Sequence, residues 1–126
     1  MRYAIAIAAT LLFVAPAMAQ HAHGTKGPNG GIMEDVAGVH AELVPSGNVI
    51  TINVLDEAGT PVSTSGFTAT ALVVNGPDKE TVTLSPSGTS ALKGETKKAV
   101  TPNTQVTLML KTAAGKTGQA RYKVDK

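Results

Sequence analysis

The chain has 126 residues, of which 11 are Lys or Arg, 9 are Asp or Glu and 3 are His, and it contains no cysteine. This length fits one domain and is too short for a barrel enzyme or a two-domain nucleotide enzyme. A hydrophobic content of 42% argues against a wholly disordered chain, and the lack of cysteine excludes thiol catalysis, disulfides and cysteine-ligated zinc.

The first nineteen residues have the features of an export signal. Arg2 gives a positive start, an uncharged apolar run extends from Ala4 to Ala15, and a small-x-small cleavage pattern ends at Ala19. The run is about 12 residues long, whereas a membrane-spanning helix needs about 20. We therefore expect a cleaved signal peptide over residues 1–19, no stable membrane insertion afterwards, and a periplasmic protein.

Residues 20–29 follow without any periodicity and are rich in glycine. They include His21 and His23, so this segment is predicted to be a flexible histidine-containing arm. The domain proper is predicted to occupy residues 30–126.

From Gly30 onward the sequence alternates between apolar and polar residues. Ile50, Ile52 and Val54, for example, alternate with Thr51 and Asn53, which is the pattern of a half-buried strand. Segments rich in Gly, Pro, Asn and Asp separate these runs. The pattern predicts an all-β fold, an antiparallel immunoglobulin-like β-sandwich of about seven strands. The polar residues 93–104 are expected to form a long connection or a weak edge strand.

A hairpin of residues 32–42 is expected to gather potential metal ligands on one face. If residues 36–38 form the turn and the apolar residues face the core, then Met33, Asp35, His40 and Glu42 share the opposite face. The arm could bring His21 and His23 to this patch. We therefore predict a metal site of His21, His23, His40, Glu42 and Met33, with copper as the first choice and zinc as the second, because imidazole suits both ions and a thioether favours Cu(I).

Simpler interpretations of these residues remain open. His21 and His23 could belong to a polar tail, because histidine-rich tracts are compositional evidence only. A strand histidine beside a glutamate is commonly a solvated pair, and Met33 could simply fill a gap. Glu34 and Asp35 are interpreted as marking the turn.

Two segments carry a resemblance to a known family. The run from Gly27 to Ile32, followed by Gly38-Val39-His40-Ala41-Glu42-Leu43-Val44, resembles the N-terminal region of periplasmic adaptor proteins for heavy-metal efflux. The resemblance implies a periplasmic β-sandwich in a metal-resistance setting, with a role for His21, His23, His40 and Glu42. The chain has Asn29 where the family pattern usually has His, and it lacks the helical hairpin of a true adaptor.

Two functions of different classes follow from the sequence. The first is a non-catalytic, periplasmic metal-binding module that could serve an envelope metal-efflux component. The alternative is a structural envelope module that binds a protein partner through an edge strand, without metal. Catalysis is not expected, because the folded part offers one histidine and no nucleophile–base–acid set. Binding to nucleic acid is not expected either, since no dense basic face is visible.

Overall fold

The computed structural model describes residues 24–125, and these residues form strands, turns and connections without any helix. The predicted signal peptide of residues 1–19, His21 and His23 lie outside the described residues. The strands are β1 (Thr25–Lys26), β2 (Ile32–Val36), β3 (Val39–Ser46), β4 (Val49–Leu55), β5 (Thr68–Asn75), β6 (Asp78–Ser87), β7 (Ala91–Glu95), β8 (Gln105–Lys111) and β9 (Thr117–Lys123).

All nine strands belong to one antiparallel sheet with the order β1-β2-β3-β4-β7-β6-β5-β8-β9. The sheet curls into a half-barrel, so that β9 at one end lies against β2 near the other. Strand β6 spans the two halves, because its first part pairs with β5 and its last three residues, Ser85 to Ser87, pair with β7. The all-β, antiparallel class is thus confirmed.

The core lies on the inner face of the curled sheet. Its largest fully buried side chains are aliphatic and include Leu43, Ile50, Ile52, Leu92 and Leu108. Tyr122 of β9 crosses the core region and donates a buried hydrogen bond of 2.8 Å to the carbonyl oxygen of Ala41 in β3. The apolar residues that the alternation predicted to point inward, such as Ile50, Ile52 and Val54, are buried, because a period of two places them on one face of the sheet.

Three details differ from the sequence-based prediction. The described part of the chain has nine strands rather than about seven. Two of them lie in segments not predicted as regular strands: Thr25 and Lys26 of the expected arm form β1, and β7 lies inside the sheet, between β4 and β6. Strand β1 has two polar residues, and β7 has a single buried apolar residue, Leu92, so their pairing depends on neighbouring strands and not on a local hydrophobic period.

Candidate functional site

The hairpin of β2 and β3 positions the predicted ligands. Its strands are joined by Ala37 and Gly38, which have φ angles of 51° and 83°. Two successive residues with positive φ are typical of the tight turn whose twist matches a β-hairpin. The turn fixes the register, which pairs Asp35 with His40 and Met33 with Glu42.

This register places Met33, Asp35, His40 and Glu42 on the outer face of the sheet, opposite the core. Ala41 and Leu43, the inward neighbours of these residues in β3, are fully buried in the core. The shared face predicted from the sequence is therefore present. The four side chains nevertheless have different partners. The structure divides them into two groups, Asp35 with His40 and Met33 with Glu42.

His40 and Asp35 form the first group. Nδ1 of His40 contacts Oδ1 of Asp35 directly across the two strands, and the two side chains are 25% and 83% exposed. A carboxylate at Nδ1 stabilises a proton there, which directs the lone pair of Nε2 away from the pair. The imidazole is thus oriented by its neighbour and is still accessible from solvent. Asp35 was expected to mark a turn, but it lies within β2 and is the closest partner of His40.

Glu42 belongs to the second group and has a structural role. Its Oε2 accepts hydrogen bonds from the backbone nitrogens of Asn29 at 2.8 Å and Gly31 at 2.9 Å, and its Oε1 accepts one from the Asn29 side-chain amide at 2.8 Å. The residue is fully buried although it points away from the core. Its carboxylate therefore holds the segment of residues 27–31 against the sheet.

A close approach of the backbone makes this arrangement possible. A Cβ atom on Gly27 would overlap the carboxylate group of Glu42, so only glycine fits there. The turn is closed by a hydrogen bond of 2.8 Å from the Gly27 nitrogen to the Gly31 oxygen. The glycines at 27, 30 and 31 around Asn29 are a sequence signal for a close approach of the backbone, but the distant carboxylate that they enclose could not be identified from spacing.

Met33 lies next to the point where the N-terminal segment reaches the sheet. Its strand partner on one side is Glu42, and its partner on the other side is Thr25 of β1. Gly24, the first described residue, approaches Ile32 and Glu34 of β2 closely. Met33 is half-buried by these neighbours. Among residues 24–125, no group of three or more His, Cys, Asp or Glu side chains is positioned to hold a metal ion.

Tyr122 and Glu34 are a pair of ionisable groups that sequence reasoning missed. Glu34 alternates with Met33 and Asp35 and therefore lies on the inner face of β2. Burial raises the pKa of the Tyr122 hydroxyl well above its ordinary value, and the negative charge of Glu34 raises it further. The phenol is thus kept neutral, as its hydrogen bond to Ala41 requires.

Comparisons of the chain with protein-family models, with curated proteins and with solved structures find no match. Within residues 24–125, no helix is long and apolar enough to cross a membrane.

Proposed function

We propose that the protein is an exported, non-catalytic metal-binding module, for copper in the first place and zinc in the second. The observation that carries this proposal is the contact between Asp35 and His40 on the outer face. Histidines that bind metals commonly donate their other ring N–H to a carboxylate, which fixes the tautomer and raises the basicity of the ligating nitrogen. His40 has the carboxylate contact at Nδ1 that this arrangement needs, and Nε2 is the proposed ligating atom.

His23 and His21 are the further ligands in this proposal. His23 directly precedes Gly24, the first residue that the structure describes. Thr25, two residues further along the chain, pairs with Met33 of β2, on the face that carries His40. Metal binding would then join the N-terminal segment to β2 and β3.

The remaining candidates differ in what they can contribute. Met33 lies on the same face and offers a thioether, which favours Cu(I) over Zn(II). Glu42 is left out of the ligand set, because its carboxylate already accepts three hydrogen bonds from the turn above it. The ligand set is therefore imidazole with an optional thioether, which is the basis for preferring copper.

The wider setting also remains a proposal. We assign the curled sheet to the immunoglobulin-like β-sandwiches, supported by the crossing of β6 between the two halves and by the Tyr122–Ala41 bond between them. The export signal predicted over residues 1–19 supports a periplasmic location. An envelope metal-efflux component is then the natural partner.

A titration of the exported protein with Cu(II), Cu(I) and Zn(II) tests the metal proposal. We expect His40→Ala and the double variant His21→Ala/His23→Ala each to weaken copper binding by at least about tenfold. Asp35→Asn, which changes the group that orients His40 but removes no ligand, should weaken it by about tenfold. Glu57→Gln, in an exposed turn, is the matched control and should bind like the wild type. If the variant His21→Ala/His23→Ala/His40→Ala bound copper with the affinity of the wild type, the proposal would be overturned.

A second candidate is a structural module that binds an envelope protein through an edge strand. The position of β9 favours it, since this strand ends the sheet, pairs with β8, and contacts β2 without a strand pairing in the described residues. Capture of an envelope protein that is lost when Gln119 is replaced by Pro, and that is indifferent to all three histidines, would support this function over the first.

A further inference from the structure

The outer face of β6, β5, β8 and β9 has a chemistry distinct from that of the outer face of the β2–β3 hairpin. Alternation assigns to it every second residue from Thr68 to Val74, Lys79 to Ser85, Gln105 to Lys111 and Thr117 to Lys123. All of these side chains are exposed or half-buried. We call this surface the threonine face, because threonine is its commonest residue.

The threonine face has cations and no carboxylate among these positions. Its cations are Lys79, Lys111, Arg121 and Lys123. The two acidic residues of β6 lie on the other side of that strand and are engaged, since Asp78 pairs with Lys98 at 2.9 Å and Glu80 accepts hydrogen bonds from the Lys97 nitrogen. Asp125 follows the end of β9. The face therefore presents a positive potential that favours an anionic ligand.

An open groove of about 750 Å³ crosses this face. Its outward lining side chains include Thr70, Thr83, Thr117, Gln119, Met109 and Lys111. The register aligns Thr83, Thr70, Met109 and Gln119 in one row across the four strands. With a spacing of about 4.8 Å between strands, such a row extends about 14 Å. The groove thus fits a linear chain lying across the strands.

The chemistry of the groove favours a sugar chain over a peptide. Hydroxyl and amide side chains both donate and accept hydrogen bonds, as the hydroxyl groups of sugars do. Met109, which is 47% exposed, offers an apolar surface for the C–H groups of a sugar ring. An extended peptide lying across the strands would need free main-chain groups in the groove, but β5 is paired with β6 and β8, and β8 is paired with β5 and β9, so that only the outer edge of β9 is left without a strand partner in the described residues.

A membrane surface fits less well than a polysaccharide. Interfacial binding inserts several large apolar or aromatic side chains, and Met109 is the only large hydrophobic residue that is exposed within residues 24–125. We propose that the threonine face binds a carboxylated polysaccharide, whose acid groups pair with Lys111 and Arg121 and whose hydroxyls bond the threonine row. This site is separate from the proposed metal site.

Binding of the exported protein to polygalacturonate fragments tests this proposal, with a chelator present and dextran as the uncharged reference. We expect saturable binding at about 0.01 M ionic strength, where the Debye length is about 30 Å, and weaker binding at about 0.1 M. Lys111→Gln/Arg121→Gln should lose about tenfold in affinity, whereas the matched pair Lys97→Gln/Lys98→Gln, beside Asp78 and Glu80 on the other side of β6, should stay within about twofold.

A second variant examines the hydroxyl groups separately from the charges. Thr70→Val/Thr83→Val keeps the shape and the charge of the row, and we expect it to lose about threefold in affinity with an unchanged dependence on salt. His40→Ala should bind polygalacturonate like the wild type. No saturable binding, or no effect of Lys111→Gln/Arg121→Gln, would overturn the proposal. Equal or tighter binding to polyglutamate, or to phosphatidylglycerol vesicles, would overturn it in favour of an acidic protein or a membrane.

Discussion

At the scale of single residues, Glu42 illustrates how a carboxylate can be buried on the outside of a sheet. It points away from the core, yet it is fully buried because the 27–31 segment folds over it. Burying a charged group is costly unless hydrogen bonds replace the lost water. The donors from Asn29 and Gly31 supply that replacement.

Replacing Glu42 by Gln should therefore destabilise the protein. The neutral amide cannot accept the same charge-assisted bonds from Asn29 and Gly31, and it places an NH₂ group against their donors. We expect a loss of about 1–3 kcal/mol in the free energy of unfolding, measured by urea denaturation. Glu57→Gln, in an exposed turn, should stay within about 0.5 kcal/mol. Equal stability of the two variants would contradict the role of Glu42 as an anchor for the turn.

Tyr122 should make the stability of the protein fall at alkaline pH. Its pKa is raised in the folded state by burial and by the charge of Glu34, so folding favours the neutral phenol. The stabilisation is complete below the unfolded-state pKa of about 10 and is lost progressively as the pH rises above it. Urea denaturation of the wild type at pH values from about 8 to about 11, a range that includes this pKa, should record the decline in the free energy of unfolding.

Tyr122→Phe is the control for this dependence. It removes the hydrogen bond to Ala41 and should cost about 0.5–1.5 kcal/mol at neutral pH. Its stability should also decline less steeply above pH 10 than that of the wild type, because the ionisable group is gone. A variant that declines as steeply as the wild type would show that another group causes the alkaline loss.

At the scale of elements, the β2–β3 hairpin depends on two residues with positive φ. Gly38 adopts this conformation without strain, but Ala37, with φ of 51°, has a Cβ that disfavours it. Asn tolerates the same region better and is preferred before Gly in this kind of turn. Ala37→Asn should therefore raise the free energy of unfolding by about 0.5–1 kcal/mol.

The control for this change is Ala58→Asn, in a turn where the alanine does not have positive φ. It should give no comparable gain, because asparagine has no conformational advantage there. Thermal unfolding of both variants measures the difference. A loss of stability in Ala37→Asn would mean that side-chain contacts, and not the backbone conformation, decide the effect at this turn.

The strands were largely predictable from the sequence, and the partners of the site residues were not. A period of two suffices to place His40 and Glu42 on the face opposite Ala41 and Leu43, because alternation is a local property. The burial of Glu42 depends on Asn29, thirteen residues away, and on a loop without any pattern. Strand β1, of only two residues, has too few positions to show a period.

The curvature of the sheet could not be predicted from the local sequence pattern either. In β6 the buried residues Val82 and Leu84 alternate with exposed neighbours, but this pattern does not show that the first part of the strand pairs with β5 and its end with β7. Hydrophobic alternation reports which face is buried, but not which strand lies alongside. The order of the sheet and its closure are decided by contacts between strands that are distant in the chain, such as that of Tyr122 with Ala41.

At the scale of the whole molecule, the closure of the half-barrel depends on a close approach of β9 to the hairpin turn. A Cβ on Gly118 would lie 2.6 Å from the backbone nitrogen of Ala37 and 3.0 Å from Cγ2 of Val36. The first contact is with backbone, which cannot rotate away as a side chain can. Any larger residue at this position must therefore push β9 away from β2.

Gly118→Ala should accordingly open the sheet at this end and leave the rest folded. We expect a loss of about 1–3 kcal/mol in the free energy of unfolding, as for other insertions into a packed site. Amide hydrogen exchange should increase in β9 and remain slow in β5, which has a paired strand on both sides. Gln119→Ala, exposed on the neighbouring position, should change the stability by less than about 0.5 kcal/mol. Uniformly faster exchange in β9 and β5 would instead mean that the curled sheet opens only by unfolding as a unit, so that β9 has no separate closing role.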